Sequence, residues 1–114
     1  SPNRAIALVA APTNGFHHIS FFLDGWSDIL HAGDILSKKR VKIELLPSRH
    51  GITRGETIYF FDPSGIRNET FAGMGYQAYP DMPVITWKEE DLARGIFYTA
   101  REFVESFSAA YTPV

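Results

Sequence analysis

Apolar and polar positions along the chain change period several times, and each change predicts an element. Ala5-Ile6-Ala7-Leu8-Val9 is a short apolar run closed by Pro12-Thr13-Asn14-Gly15, which predicts a buried strand followed by a turn. His17 to Leu23 is rich in aromatic and branched residues and predicts a second strand ending at Asp24-Gly25. Strand side chains alternate, so Ile19, Phe21 and Leu23 share one face with His17, and His18, Ser20 and Phe22 share the other. Trp26, Ile29, Leu30, Gly33 and Leu36 then recur at helical spacing, which predicts an amphipathic helix over about 25 to 38. Asp24 can cap that helix, and Lys38-Lys39-Arg40 close it where cations complement the helix dipole.

Val41 to Pro47 alternates like a half-buried strand, and the polar, glycine-flanked stretch Ser48 to Gly55 reads as a loop carrying His50. Two further strands, Thr57 to Phe61 and Ile66 to Phe71, are joined by Asp62-Pro63-Ser64-Gly65. That tetrad suits a type I turn, with Asp first, Pro second and Gly last. A Gly- and Pro-rich stretch from Ala72 to Pro83 follows. Lys88-Glu89-Glu90-Asp91 then opens a stretch with Leu92, Ile96, Phe97, Phe103 and Phe107, which predicts a helical tail over or beside the sheet.

Composition narrows the chemistry. The 114 residues are 45% apolar, with 13 acidic and 11 basic side chains and a net charge of −2, as expected for one soluble domain with a real core. Without cysteine there is no disulfide scaffold, zinc finger, iron–sulfur cluster or cysteine nucleophile, and any metal must use His and carboxylate. The absence of a basic run beyond Lys38-Lys39-Arg40 argues against a nucleic-acid partner. The longest apolar run is too short to span a bilayer, so no membrane is expected and the reading is cytoplasmic. The chain enters an apolar segment almost at once, without a methionine, which reads as the end of something longer.

Four residues are candidates for chemistry: His18, His50, Tyr59 and Glu69. His18 faces away from the predicted helix core, and Glu69 shares parity with Arg67 and Phe71 on the last strand. A carboxylate among apolar strand residues is costly to bury unpaired. Each residue also has a purely structural reading. Glu69 can pair with Arg67, His18 can be a hydrogen-bonded core histidine, His50 an exposed loop residue and Tyr59 a core tyrosine. His17 and His31 read as structural, one beside the helix core and one on the helix.

As a set, these positions lie in blocks that carry a resemblance. Gly15-Phe16-His17-His18-Ile19-Ser20-Phe21, Ser48-Arg49-His50-Gly51-Ile52-Thr53, and Thr57 through Glu69 resemble the extradiol ring-cleavage dioxygenases, the catechol-cleaving branch in particular. The similarity continues through Pro83-Val84-Ile85-Thr86-Trp87 into the tail. It implies an α+β fold of the vicinal oxygen chelate (glyoxalase/bleomycin-resistance/dioxygenase) type, a βαβββ module with a helical C-terminal tail. Residues 1–11 would hold the last strand of a preceding module, 16–72 the module itself and 73–114 the extension.

Residue by residue, the resemblance implies His18 and Glu69 as ligands of Fe(II), His50 as an acid/base histidine and Tyr59 as a hydrogen-bond donor to the bound catecholate. Thr53, Ile96 and Phe107 fall at pocket-wall positions. Two histidines and one carboxylate on Fe(II) leave open positions for a diol and O₂. The implied reaction is cleavage of catechol or an alkylcatechol by O₂ next to the diol, giving a 2-hydroxymuconic semialdehyde in aromatic hydrocarbon catabolism. The sequence departs from the family at two points. The third ligand, a histidine of the preceding module, has no candidate upstream of His17, and Asn3 stands where another active-site histidine is common. The isolated chain is therefore expected to be inactive and to pair with a second βαβββ module, as a homo-oligomer. The alternatives are a metal-free binding module of the same superfamily and an inactive structural fragment.

Overall fold

A computed structural model of the chain describes residues 6–73, 83, 86–109 and 112–113. The elements are β1 (Gly15–Phe16), β2 (Ile19–Phe22), α1 (Trp26–Lys38), β3 (Lys42–Arg49), β4 (Glu56–Phe61), β5 (Arg67–Ala72), α2 (Leu92–Ile96) and β6 (Thr112–Pro113). Single 3₁₀ turns lie at Glu89–Asp91 and Glu105–Ser108. Four strands form a mixed sheet in the order β2-β5-β4-β3, with β2 parallel to β5 and the other pairs antiparallel. A strand, a crossover helix and three antiparallel strands make a βαβββ module, the α+β architecture that the resemblance implies.

The helix begins one residue later than its expected cap. Gly25, in extended conformation, is the N-cap, and its carbonyl accepts from the Asp28 and Ile29 amides; Asp24 makes no side-chain cap. At the other end the Arg40 amide donates to Ser37 O and the Val41 amide to Leu36 O, a Schellman closure. Arg40 takes the left-handed position that closure requires, at φ 55°. The predicted hairpin turn forms, with the Gly65 amide donating to Asp62 O at 2.9 Å and Gly65 at φ 83°.

The sheet is covered on both faces. Ile29 of α1 packs on Ile58 and Ala72, flanked by Leu23, Leu36 and Phe60. On the other face Leu45 and Tyr59 meet Phe97, with Ile96, Val104 and Phe107 around them. This second face carries the candidate residues, and its cover is the tail.

Several expectations change. Residues 6–10 form no strand, and Ile6, Leu8 and Val9 are exposed. A strand needs a hydrogen-bonding neighbour, and among the described residues none lies against this segment. The third strand runs on past Pro47 to Arg49, so only 50–55 remains as the loop. Pro47 is tolerated because β3 is an edge strand and its pairing with β4 shifts register between Leu45 and Ser48. The described residues of the tail are mostly irregular: α2 has five residues, and Arg101 in the left-handed region, at φ 62°, interrupts any longer helix there. Residues 1–5, including Asn3, and most of 74–85 lie outside the described residues.

Candidate metal centre

The site is built across three strands. β5 lies between β2 and β4, and the register sets Glu69 opposite Ser20 on one side and Tyr59 on the other. These three side chains therefore stand in a row on the tail-covered face. Thr57, two residues before Tyr59 on the same face, donates its hydroxyl to Glu69 Oε1 at 2.5 Å, and the Ser20 hydroxyl donates to Oε2. Glu69 is 5% exposed, and Tyr59 2%.

Two imidazoles complete the cluster. His18, just before β2, places Nε2 at 3.3 Å from Glu69 Oε2, and its ring meets Tyr59 edge-on. His50 follows the end of β3, in a loop closed by its own amide donating to Gly55 O. His50 Nδ1 donates to the Ile96 carbonyl at 2.5 Å, so in the neutral ring Nε2 is bare and accepts from the Tyr59 hydroxyl at 2.9 Å. The same Nε2 stands 3.5 Å from Glu69 Oε1. His18, His50, Tyr59 and Glu69, drawn from four separate stretches of sequence, thus converge on one carboxylate.

The electrostatics follow from burial and neighbours. Burial alone would raise the Glu69 pKa, but the imidazoles of His18 and His50, when they carry a proton on Nε2, and the hydroxyls of Ser20 and Thr57 outweigh it and hold the carboxyl well below its usual range. Glu69 is ionised across the physiological range. Burial, followed by the charge of Glu69, pushes the Tyr59 phenol well above its ordinary value, so it stays a neutral donor.

Three pocket-wall candidates have distinct places. Phe107 stacks edge-on against Tyr59 at 4.8 Å and against His17 at 4.7 Å. Ile96 gives its carbonyl to His50 and its side chain to the cluster around Leu45 and Tyr59. Thr53 turns its hydroxyl to the Gly55 amide and so shapes the His50 loop.

Two structural readings are corrected. Arg67 does not pair with Glu69. Its Nε and Nη2 bind Glu44 at 2.6 and 3.0 Å, and further guanidinium bonds reach the carbonyls of His17, Ser106 and Ala109. His17 does not sit beside the helix core, because the strand is broken at His17-His18 and alternation does not carry across the break. Its Nδ1 meets His18 Nδ1 at 2.6 Å, and its Nε2 donates to the Phe107 carbonyl at 2.5 Å. Sequence reading also missed Thr57 as a donor to Glu69 and Glu44 as the partner of Arg67. The same-face spacing of Thr57 and Tyr59 could have found the first.

The donor set suits a divalent metal. A buried, ionised carboxylate stands beside an imidazole Nε2, with neutral hydroxyl donors around them, and nitrogen and oxygen donors of this kind suit Fe(II) or Mn(II). Among the described residues, no group of three or more His, Cys, Asp or Glu is arranged to hold a metal by itself. Also among them, no helix is long and apolar enough to cross a membrane.

Comparison with known proteins points the same way. The chain is 47% identical over 108 residues to a metapyrocatechase of Pseudomonas sp. (strain CF600), covering 94% of this chain and 35% of that protein. It is 41% identical over 92 residues to a manganese-dependent 2,3-dihydroxybiphenyl 1,2-dioxygenase of Geobacillus genomosp. 3, covering 78% of this chain and 29% of that one. Among solved structures, homoprotocatechuate 2,3-dioxygenase from Arthrobacter globiformis superposes with a TM-score of 0.71 at 28% identity, over 86% of this chain and 31% of that one. The chain thus spans about a third of the length of these relatives. Residues 2–70 match the family model itself, and with the βαβββ topology around Glu69 they establish that the chain belongs to the glyoxalase/bleomycin resistance protein/dioxygenase superfamily.

Proposed function

We propose that this chain provides one βαβββ module of an extradiol dioxygenase that cleaves catechol or an alkylcatechol with O₂ next to the diol, to a 2-hydroxymuconic semialdehyde. The observation that carries the reading is the convergence of His18 Nε2 and two hydroxyl donors on the buried carboxylate of Glu69, with the Tyr59–His50 pair beside it. The relatives' names supply the reaction class.

In this reading His18 and Glu69 hold Fe(II), and a third ligand comes from a second module. Bound there, the metal supplies Lewis-acid activation of the diol and electronic coupling between diol and O₂. The chain's own groups do the rest. Ser20 and Thr57 fix the carboxylate of Glu69 so that it keeps one orientation. Tyr59, kept neutral, donates a charge-assisted hydrogen bond to the ionised diol oxygen. His50, with its Nδ1 proton committed to Ile96 O, takes up and returns a proton at Nε2 as general base and acid. Phe107 and Ile96 wall the pocket and exclude water.

The test is Glu69→Ala in the enzyme that contains this module. Loss of bound iron together with loss of semialdehyde formation is the expected result, and unchanged iron content and turnover would refute the reading. The manganese-dependent relative makes Mn(II) the second metal to load, and higher turnover with Mn(II) than with Fe(II) would reassign the cofactor alone.

A further inference from the structure

His17 links the tail to His18 through two hydrogen bonds, and the chemistry of the atoms orders the protons. The Phe107 carbonyl only accepts, so His17 carries a proton on Nε2, which donates to that oxygen at 2.5 Å. The neutral His17 ring then presents a bare Nδ1. His18 Nδ1 lies 2.6 Å away and must be the donor of that bond. With its proton held on Nδ1, the neutral His18 ring keeps the lone pair on Nε2, the atom 3.3 Å from Glu69 Oε2, and only a cationic ring, protonated on both nitrogens, also donates to that carboxylate.

We propose that His17 is a positioning residue: relayed from the Phe107 carbonyl, it fixes the tautomer and ring plane of His18 so that His18 Nε2 is free to ligate a metal. The inference deepens the reading of His18 as a ligand. The relay makes the tail part of the metal centre's support, because Phe107 also packs edge-on against His17. Partners of this kind, one shell out from a ligating imidazole, orient the ring and raise its basicity. His50 is arranged alike, its Nδ1 proton held by a second tail carbonyl, that of Ile96.

Nitrogen-15 NMR of the metal-free full chain reads the protons directly. The expected result is a proton on Nε2 and a bare Nδ1 for His17, with the His18 proton on Nδ1. In His17→Phe the His18 proton moves to Nε2, where Glu69 Oε2 stands 3.3 Å away to accept it. In His17→Asn the side-chain oxygen stands near the former Nδ1 and holds the His18 proton where it was. A proton on His17 Nδ1, a bare His18 Nδ1 in the wild type, or one unchanged His18 signature in all three proteins would overturn the proposal.

Titration with Co(II) alone provides a second readout. Affinity falls about tenfold to a hundredfold in His17→Phe and recovers in His17→Asn, and equal affinity in all three overturns the proposal. Absence of Co(II) binding by the wild-type chain would show that the third ligand, on the second module, is needed for binding. The proton positions would then decide the role of His17.

Discussion

Arg67 and Glu69 stand two residues apart on one face of β5, and each turns to a different partner. Arg67 is bound to Glu44 of β3, whereas Glu69 meets the imidazoles of His18 and His50. The separation leaves Glu69 without a competing guanidinium and gives the module an ion pair whose fully buried Arg67 also fastens the tail through Ser106 O and Ala109 O.

Breaking that pair from one side leaves a buried, uncompensated cation, so Glu44→Gln should cost about 3–5 kcal/mol. The pH dependence has a definite sign. Burial would raise the Glu44 pKa, but hydrogen bonds from Arg67 and Ser106 outweigh it and hold the folded value below 4.5. The pair's stabilisation is therefore whole above the unfolded value of 4.5 and is lost as pH falls below it toward the folded value. Urea unfolding of both proteins from neutral to acid pH should show the gap between them closing below pH 4.5, and a constant gap would contradict this.

Tyr59 should resist ionisation. The difference in ultraviolet absorbance between the wild type and Tyr59→Phe isolates one of five tyrosines, and its phenolate signal should rise only well above pH 10.0. Because the folded value is raised, the stability that Tyr59 contributes is whole below 10.0 and is lost as pH rises beyond it.

Thr57 donates to an ionised, buried oxygen, a bond worth about 1.5–3 kcal/mol. Thr57→Val should lower stability by that order, and Thr57→Ser should recover most of it. Denaturant midpoints of the three proteins check this, and equal midpoints for Val and Ser would assign the effect to packing.

Gly51, next to His50, is pressed against the tail. A Cβ there would lie 2.7 Å from the Arg94 carbonyl oxygen and 2.7 Å from the Trp87 ring. Gly51→Ala therefore forces the backbone and the ring apart and should cost about 1–3 kcal/mol. A shift in tryptophan emission should accompany the loss, since Trp87 is one of two tryptophans.

Much of the fold is legible because its signals are local. The Asp62 to Gly65 turn, the helical spacing from Trp26 to Leu36 and the apolar strand around Tyr59 each need only neighbouring residues to be read. Parity also put His18 and Ser20 on one face, and both reach Glu69. What failed depends on distant partners or on breaks in regularity. The interruption at His17-His18 defeats alternation, and the register shifts in β3 bring both Glu44 and Leu45 to the tail-covered face. The choice of Glu44 over Glu69 by Arg67 is a matter of strand order, which no local pattern contains. The tail's apolar residues signal burial but not helix, since their route is set by the sheet face they cover.

The most direct test of the central claim is an anaerobic Fe(II) titration with catechol present, run on the wild-type chain beside His18→Ala and Glu69→Ala. The account predicts saturable binding in the wild type and its loss in both variants. Saturable binding that survives equally in both variants would contradict the assignment of His18 and Glu69 as this module's ligand pair.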